Sequence, residues 1–268
     1  MEELDNSLFE KFAGLIYDKS GIMLSAEKRI MTAGRLAKRV RKLGLKSFRD
    51  YYKYLSRDTS GRELVELLNV ISTNTTDFFR APRHFEVLGD HLREWYTEGQ
   101  RKFRIWSAAC SSGEETYTIG LTLLDNLSDT CDMRILGTDI SVAVLQKAKQ
   151  GQYTAEDVEN VPEHLKKKYF VSGREDGSYH VKAELKNMIA FAQLNLAHPP
   201  YPMRGPFDAV FCRNVMIYFD EMVRRRLLDE ILRLLKPGGL LFVGRSESLA
   251  AVNARFANVE PAVYMKSE

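Results

Sequence analysis

Cysteine is scarce in this chain: Cys110, Cys131 and Cys212 are the only three among 268 residues, odd in number and far apart. That excludes a disulfide framework and a paired-cysteine zinc site, and the apolar or strand-like surroundings of all three predict buried thiols. The five histidines, His84, His91, His164, His180 and His198, never fall at a ligand spacing such as HxxxH, so no metal is expected. No apolar run approaches the roughly 20 residues of a membrane helix. The opening MEELDNSLFE is acidic and amphipathic, unlike a signal peptide, and the expectation is a cytoplasmic protein with no membrane insertion. Internal repeats and low-complexity segments are missing as well. What remains, 44% apolar and 28% charged residues, is ordinary globular composition with room for one large domain or two modest ones.

Two rhythms divide the chain. Up to about residue 70, apolar positions recur at helical spacing in LFEKFAGLIYDKSGI, RIMTAGRLAKRVRKLGL and FRDYYKYLS, with Gly21 and Gly44 as helix stops. From Phe103 onward, apolar strands alternate with helices: FRIWSA, a helix from Glu114 to Leu127, MRILGTD, a helix from Val142 to Gln150, FDAVFCRN, a helix from Asp220 to Leu235, and LLFVGRS. Alternation of this kind predicts an α/β fold, a parallel sheet covered by helices, with LLFVG and AVYMK pairing as an antiparallel edge. The segment YFVSGREDGSYHVK (169–182) reads as a hairpin turning at Glu175–Gly177, too short for a crossover and therefore an insertion, bounded at about 166–187. The predicted domains are 1–72, all helical, and 73–268.

In open α/β sheets, ligands bind at the carboxyl ends of the strands near the point where strand order reverses. The turn in RIWSAACSSGEETYTIG (104–120) occupies that place, yet it has neither the GK[ST] of a phosphate loop nor GxGxxG; Gly113 stands alone, flanked by Ser111, Ser112, Glu114 and Glu115. Two carboxylates at a helix start would repel a phosphate and suit a cation or hydroxyl and amine donors. Ser112 with Glu115 also fits a helix capping box, and that alternative stays open. Asp139, ending MRILGTD, is placed to accept two ribose hydroxyls or to cap the helix that follows. Small residues with two such acids suit a ligand with a ribose, an adenine and a positive centre but no phosphate, namely S-adenosylmethionine.

Several ordered motifs, STNTTDFFR (72–80), WSAACSSGEETYTIG, GTDIS, FCRNVMIYFD and LKPGGLLFVGRSES, together resemble the CheR-type chemotaxis receptor methyltransferases over nearly the whole chain. The resemblance implies a Rossmann-like, class I S-adenosylmethionine-dependent methyltransferase domain behind an all-helical receptor-recognition domain, with a small antiparallel β insertion. It implies methylation of receptor glutamates, leaving S-adenosylhomocysteine. By the same resemblance Asn74, Thr76 and Arg80 contact the cofactor, Glu115 and Asp139 are its acidic contacts, Asn195 and Leu196 lie on the adenine side, and Arg213, Asn214 and Tyr218 face the reaction centre. Tyr218 is similar to the family's active-site tyrosine. Arg80 is suited to grip a carboxylate through two parallel hydrogen bonds, whether the cofactor's or the incoming glutamate's. No catalytic dyad is found, and none is required: a glutamate with a pKa of about 4.3 is already an anion at neutral pH, and the donor is already activated.

Between Lys28 and Lys53 ten Lys or Arg stand against one acid, Asp50, which points to an acidic partner. At helical spacing Lys28, Arg35, Arg39 and Lys42 share one stripe, with Ala33, Leu36, Ala37, Val40 and Leu43 opposite and buried. By resemblance this helix meets the helical bundle of a chemoreceptor, the chain acting as a monomer. Family members that tether to a receptor's C-terminal peptide have a longer, glycine-rich loop in the insertion; SGREDGSY is shorter, so no tether is expected. A nucleic-acid methyltransferase is the rival reading, since HPPY (198–201) is similar to the [DN]PPY loop of amino-methylating enzymes. His198 stands there in place of the Asp or Asn acceptor, which argues against it. A non-catalytic module that has lost the cofactor is the other rival, and the intact Glu115, Asp139 and Tyr218 argue against that.

Overall fold

The computed structural model describes residues 4–59, 61–71, 76–173, 177–247 and 255–267. Four helices open it: α1 (Asn6–Ser20), α2 (Arg29–Lys42), α3 (Phe48–Arg57) and α4 (Arg62–Ile71). Their ends are set locally. Asp5 accepts the Leu8 amide at 2.8 Å and Ser47 the Asp50 amide at 3.0 Å, capping α1 and α3. Gly21 (φ 69°) and Gly44 (φ 66°) take the left-handed conformation that stops α1 and α2, and the Leu45 amide reaches back to the Val40 carbonyl at 3.0 Å.

Helix α5 (Pro82–Thr97) leads into the α/β part. There follow β1 (Lys102–Ala108), α6 (Glu114–Asn126), β2 (Asp132–Asp139), α7 (Val142–Gln150), β3 (Gln152–Tyr153), α8 (Glu163–Tyr169), β4 (Phe170–Ser172) and β5 (Tyr179–Val181). After these come α9 (Ala183–Lys186), β6 (Ile189–Gln193), β7 (Phe207–Cys212), α10 (Glu221–Leu234), β8 (Leu235–Val243), β9 (Phe256–Glu260) and β10 (Val263–Lys266). The main sheet runs β6-β2-β1-β7-β8-β10-β9. Its first five strands are parallel, and β10 pairs antiparallel with β8, as LLFVG and AVYMK predicted. The chain builds outward from β1 to β2 and β6, then crosses back to lay β7 on the other side of β1, so the strand order reverses between β1 and β7. A separate small sheet, β3-β5-β4, holds the hairpin, with Val171 opposite His180. Glu175 and Asp176 of its expected turn lie outside the described residues.

Strand alternation sorts the core into two layers. Phe103 and Ile105 of β1, Phe211 of β7 and Phe242 of β8 pack with α5 and α6 on one face. Trp106, Val210 and Leu241 face the other way and join a cluster that runs without a break through α10 into Phe12, Ile16, Leu36 and Tyr51 of the helical domain. The helical domain is thus welded to the sheet by shared apolar burial, the dominant favourable term in such packing. All three cysteines are buried, and burial pushes the Cys110 and Cys212 thiols well up.

The basic stripe of α2 is corrected by the structure. Arg39 does not face outward: it is buried against α4, where Nη2 meets Glu63 at 2.6 Å and Nη1 meets Glu66 at 2.9 Å, and the Tyr51 hydroxyl donates to Glu63 at 2.7 Å. Arg35 is half-buried and donates to the Ile71 carbonyl. The reason is that α2 packs on α4, whose acids Glu63 and Glu66 hold Arg39 and whose final carbonyl, Ile71, holds Arg35, so the charge pattern alone misplaces the outward face. Lys42 is exposed as expected, alongside Lys38 and Arg41; the Lys28 side chain lies outside what the structure describes. Leu36 and Val40 are buried and Ala33, Ala37 and Leu43 packed against them, in agreement with the predicted apolar side.

Candidate functional site

The carboxyl ends of β1, β2, β6 and β7 open into a cavity of about 960 Å³, its mouth included. Its floor is the turn after β1. Three residues in alternation, Ala109 (φ 64°), Ser111 (φ 48°) and Gly113 (φ 100°), take left-handed conformations, two of them without glycine's freedom. The Cys110 amide donates to the Thr138 carbonyl at 2.8 Å, the Ser111 amide to Asp139 Oδ2 at 3.0 Å and the Gly113 amide to the Cys110 carbonyl at 3.0 Å. These bonds hold the strained ribbon in place. Gly113 is obligatory, because a Cβ there would lie 2.9 Å from Ala148 Cβ and 3.1 Å from the Tyr153 hydroxyl.

The capping box does not form. Gly113 occupies the N-cap of α6 without a side-chain cap, and Ser112 Oγ donates to Glu114 instead, at 2.8 and 2.9 Å. Glu115 turns toward the cavity, where Oε1 accepts from Ser107 Oγ at 2.8 Å and Oε2 meets Arg213 Nη1 at 3.1 Å. Nor does Asp139 cap α7; Ser141 does, accepting the Val144 amide at 3.2 Å. Asp139 Oδ1 takes the Ser141 amide at 2.9 Å, so the carboxylate is fixed by two backbone donors and lines the cavity. Burial raises its pKa against the pull of those amides.

From β7 come Arg213 and Asn214, the latter in a left-handed turn (φ 57°), and then a short 3₁₀ turn, Met216–Tyr218, which brings Tyr218 to the cavity wall. Arg213 also donates to the Arg80 carbonyl at 2.7 Å, which ties the entry to α5 to the strand end. His84, on the first turn of α5, is buried, and burial with the nearby Arg213 and Arg245 charges holds its pKa down to about 4. Thr76 and the exposed Arg80 line the cavity, but Asn74 lies outside the described residues. Thr76 and Asp77 do not cap α5, whose N-cap is Ala81. Leu196 is a buried wall residue. Asn195 borders the cavity while its amide is used elsewhere: Nδ2 donates to the Lys19 carbonyl at 2.7 Å and Oδ1 accepts the Ala197 amide at 3.0 Å.

Charge and burial patterns in the sequence did not reveal that the helical domain closes this cavity. Ser20, the last residue of α1, and Ile22 just beyond it line it; Ile22 forms an antiparallel bridge with Phe219, and the Met23 amide donates to the Tyr218 carbonyl at 2.8 Å. The one available signal was Gly21, whose stop sends the chain back across the cavity and whose Cβ position lies 2.5 Å from Ala197 Cβ. Asp77, Ile140, Leu194 and Phe219 also line the wall unforeseen. Among the described residues no group of three His, Cys, Asp or Glu is arranged to hold a metal ion.

The chain matches two family models, "CheR methyltransferase, all-alpha domain" over residues 7–72 and "CheR methyltransferase, SAM binding domain" over residues 74–265. Chemotaxis protein methyltransferase of Escherichia coli strain K12 is 40% identical over 99% of this chain and 92% of that protein. The corresponding protein of Borreliella burgdorferi is 38% identical over 94% and 92%, and chemotaxis protein methyltransferase 2 of Pseudomonas aeruginosa 39% over 96% and 91%. S-adenosylmethionine suits the cavity on its own chemistry. Asp77, Glu115 and Asp139 face into it, its two arginines include one already neutralised by Glu115, and the turn after β1 presents no phosphate loop. Acids in that number suit hydroxyl and amine donors and a positive centre better than a phosphate. By motif order, by matches to both family models and by the shape and charge of its cavity, the chain belongs to the CheR methyltransferase family, a chemotaxis methyltransferase whose cofactor is S-adenosylmethionine.

Proposed function

We propose that the chain methylates glutamate side chains of methyl-accepting chemotaxis receptors in the cytoplasm, forming glutamyl methyl esters. When bound, the cofactor supplies a methyl group already activated by its sulfonium. Asp139, fixed by two amides, accepts the ribose hydroxyls, and Glu115 accepts from the amino group at the other end of the cavity. Leu196 and the backbone at Asn195 wall the adenine side, with Thr76, Arg213 and Asn214 completing the cradle. Arg80, exposed at the cavity wall, receives a carboxylate, and Tyr218 borders the reacting groups.

The observation that carries this reading is the pairing of an acid-lined cavity with an exposed arginine on its wall and, among the described lining residues, no histidine to act as a base. His84 is buried and holds its proton only below about pH 4. An acceptor that arrives as an anion needs none. Placement alone, which can contribute roughly 7–11 kcal/mol, with partial loss of water from the carboxylate, then accounts for the rate.

The exposed basic face of Lys38, Arg41 and Lys42 steers an acidic receptor helix toward the chain, an attraction that weakens with salt. Binding does not depend on a receptor C-terminal peptide, because SGREDGSY is a short connection; micromolar binding of such a peptide in a calorimetric titration would refute that part. The decisive experiment incubates the protein with methyl-labelled cofactor and receptor-containing membranes, then adds alkali. Release of volatile methanol identifies a carboxyl ester, whereas base-resistant label means N-methylation and removes the assignment.

A further inference from the structure

We propose that Glu247 is the positioning residue of the turn that carries Tyr218. The proposal rests on the reading of Tyr218 as the active-site tyrosine. Glu247 follows β8, is 7% exposed, and directs both carboxylate oxygens at backbone amides. Oε2 accepts from Gly244 at 2.6 Å and from Asn214 at 2.8 Å, and Oε1 accepts from Ile217 at 3.2 Å. Among the described residues no cation lies in salt-bridge range of it, and the partners of both its oxygens are backbone amides.

Those amides belong to the places where the turn most needs support. Asn214 is left-handed, a conformation that a residue with a side chain adopts only when its surroundings impose it. Ile217 lies inside the 3₁₀ turn that ends in Tyr218, where first-turn amides have no partner within the turn itself. Gly244 anchors the carboxylate to the end of β8, the neighbour of β7 in the sheet. Charge-assisted bonds of this kind are about twice as strong as neutral ones. On its other side the same turn is held by the Met23 amide on the Tyr218 carbonyl and by the Ile22–Phe219 bridge. The result is a turn gripped from the sheet and from the helical domain, with Tyr218 between the two grips.

A carboxylate is required because three donors converge on two acceptor oxygens. An amide would present one oxygen and an NH₂ group, and the NH₂ would face an N–H. Glu247→Gln therefore loosens the turn without changing side-chain volume. Gly244→Ala provides an independent perturbation that leaves Glu247 in place: its Cβ would stand 2.6 Å from Glu247 Oε2 and 2.9 Å from Asn214 Nδ2, displacing the carboxylate.

The test measures methyl transfer to receptor membranes and calorimetric binding of S-adenosylhomocysteine by the full chain. Glu247→Gln is expected to lower kcat by roughly tenfold to a hundredfold, the scale of a misplaced reacting group. The KM for receptor and the Kd for S-adenosylhomocysteine should change by a clearly smaller factor than kcat, since Glu247 also holds Asn214, which borders the cofactor. The double variant Tyr218→Phe/Glu247→Gln should be no slower than Tyr218→Phe alone, because a residue that acts through another has no further effect once that one is gone. A kcat within about twofold of the parent, a Kd that rises in step with the loss of kcat, or additive losses in the double variant would each overturn the proposal. If Glu247→Gln does not fold, Gly244→Ala must show the same selective kcat loss, and its failure to do so overturns the proposal equally. A parent chain that releases no methanol, or a Tyr218→Phe variant with full activity, would instead sink the underlying reading.

Discussion

Glu115 and Arg213 meet at 3.1 Å in the cavity wall with side chains only 12% and 5% exposed, joining the start of α6 to the end of β7. Ser107 donates to the same carboxylate and the Arg80 carbonyl accepts from the same guanidinium, so four segments of the chain converge on one ion pair. A carboxylate that neutralises a buried arginine and lines the cavity serves stability and, on the proposed reading, cofactor recognition, and the two roles separate by substitution.

Glu115→Ala leaves Arg213 buried with the Arg80 carbonyl as its remaining acceptor. Breaking one side of a buried pair costs about 3 kcal/mol, read as a lower urea midpoint. Cofactor affinity falls with it. Glu115→Gln keeps an oxygen for Ser107 or Arg213, so it regains much of the stability while calorimetry still shows weakened cofactor binding. Equal affinity in the Gln variant and the parent would place the recognition of the amino group elsewhere.

Asp139→Ala frees the Ser111 and Ser141 amides and, on the proposed reading, removes the acceptor for the ribose, so most cofactor affinity is expected to go. Asp139→Asn retains one oxygen and should lose less. The pH dependence has a definite sign. Burial raises the Asp139 pKa, and the ionised form is the one that accepts two hydroxyls, so affinity strengthens as pH rises through that pKa. In the parent chain the acid limb of the binding curve therefore begins at a higher pH than an ordinary aspartate would give, and Asp139→Asn flattens it. A calorimetric series across the acid range checks both statements.

How much of this was legible beforehand depends on whether the cause was local. Helices α6, α7 and α10 begin and end within a residue of expectation, because caps and apolar spacing lie within each segment's own sequence. The strands whose residues alternate between two apolar layers were equally visible, and Glu115, in the first turn of the helix after β1, and Asp139, at the end of β2, stand where any parallel sheet of this order brings them together. What escaped was long-range. Strand β9 pairs only with β10 and presents mostly exposed residues, so its apolar signal is weak. The wall formed by Ser20 and Ile22 depends on how the helical domain sits on the sheet. Arg39 looked like a surface charge because its partners, Glu63 and Glu66, stand more than twenty residues away on another helix.

The α2 helix separates a structural arginine from surface charges. Arg39→Met breaks the Glu63 pair and leaves that carboxylate with the Tyr51 hydroxyl, an expected loss of about 3 kcal/mol in urea unfolding. Lys38→Glu, Arg41→Glu and Lys42→Glu change exposed positions and should move stability by no more than about 0.5 kcal/mol. Together they should raise the KM for receptor membranes at low salt and remove most of its salt dependence, with kcat nearly unchanged. A triple variant with the parent's KM and salt slope would show that receptor steering uses another face.

Glu114 gives the chain a measurable pH signature independent of turnover. It is 6% exposed, and burial pushes its pKa up to about 7, reinforced by the Asp157 and Asp77 charges and opposed by its hydrogen bonds from the local backbone and Ser112. The folded state therefore holds a proton that the unfolded chain, with an ordinary glutamate, releases near pH 4.5. Between those two values the native state binds more protons, so this group makes stability fall as pH rises and its whole destabilising effect is present above about pH 7. Glu114→Gln retains an acceptor for Ser112 and carries no charge. It should raise the urea midpoint at pH 8, leave it nearly unchanged below about pH 5, and reduce the downward slope between. His84, held at about 4, contributes a slope of the opposite sign across pH 4 to 6.5, because the unfolded chain there takes up a proton that the folded one refuses. The two slopes oppose each other on the acid side, and only the difference between parent and Glu114→Gln isolates the carboxylate. A difference that does not grow with pH would mean that Glu114 is ionised in the folded chain and that Ser112 stabilises the charged form more than burial penalises it.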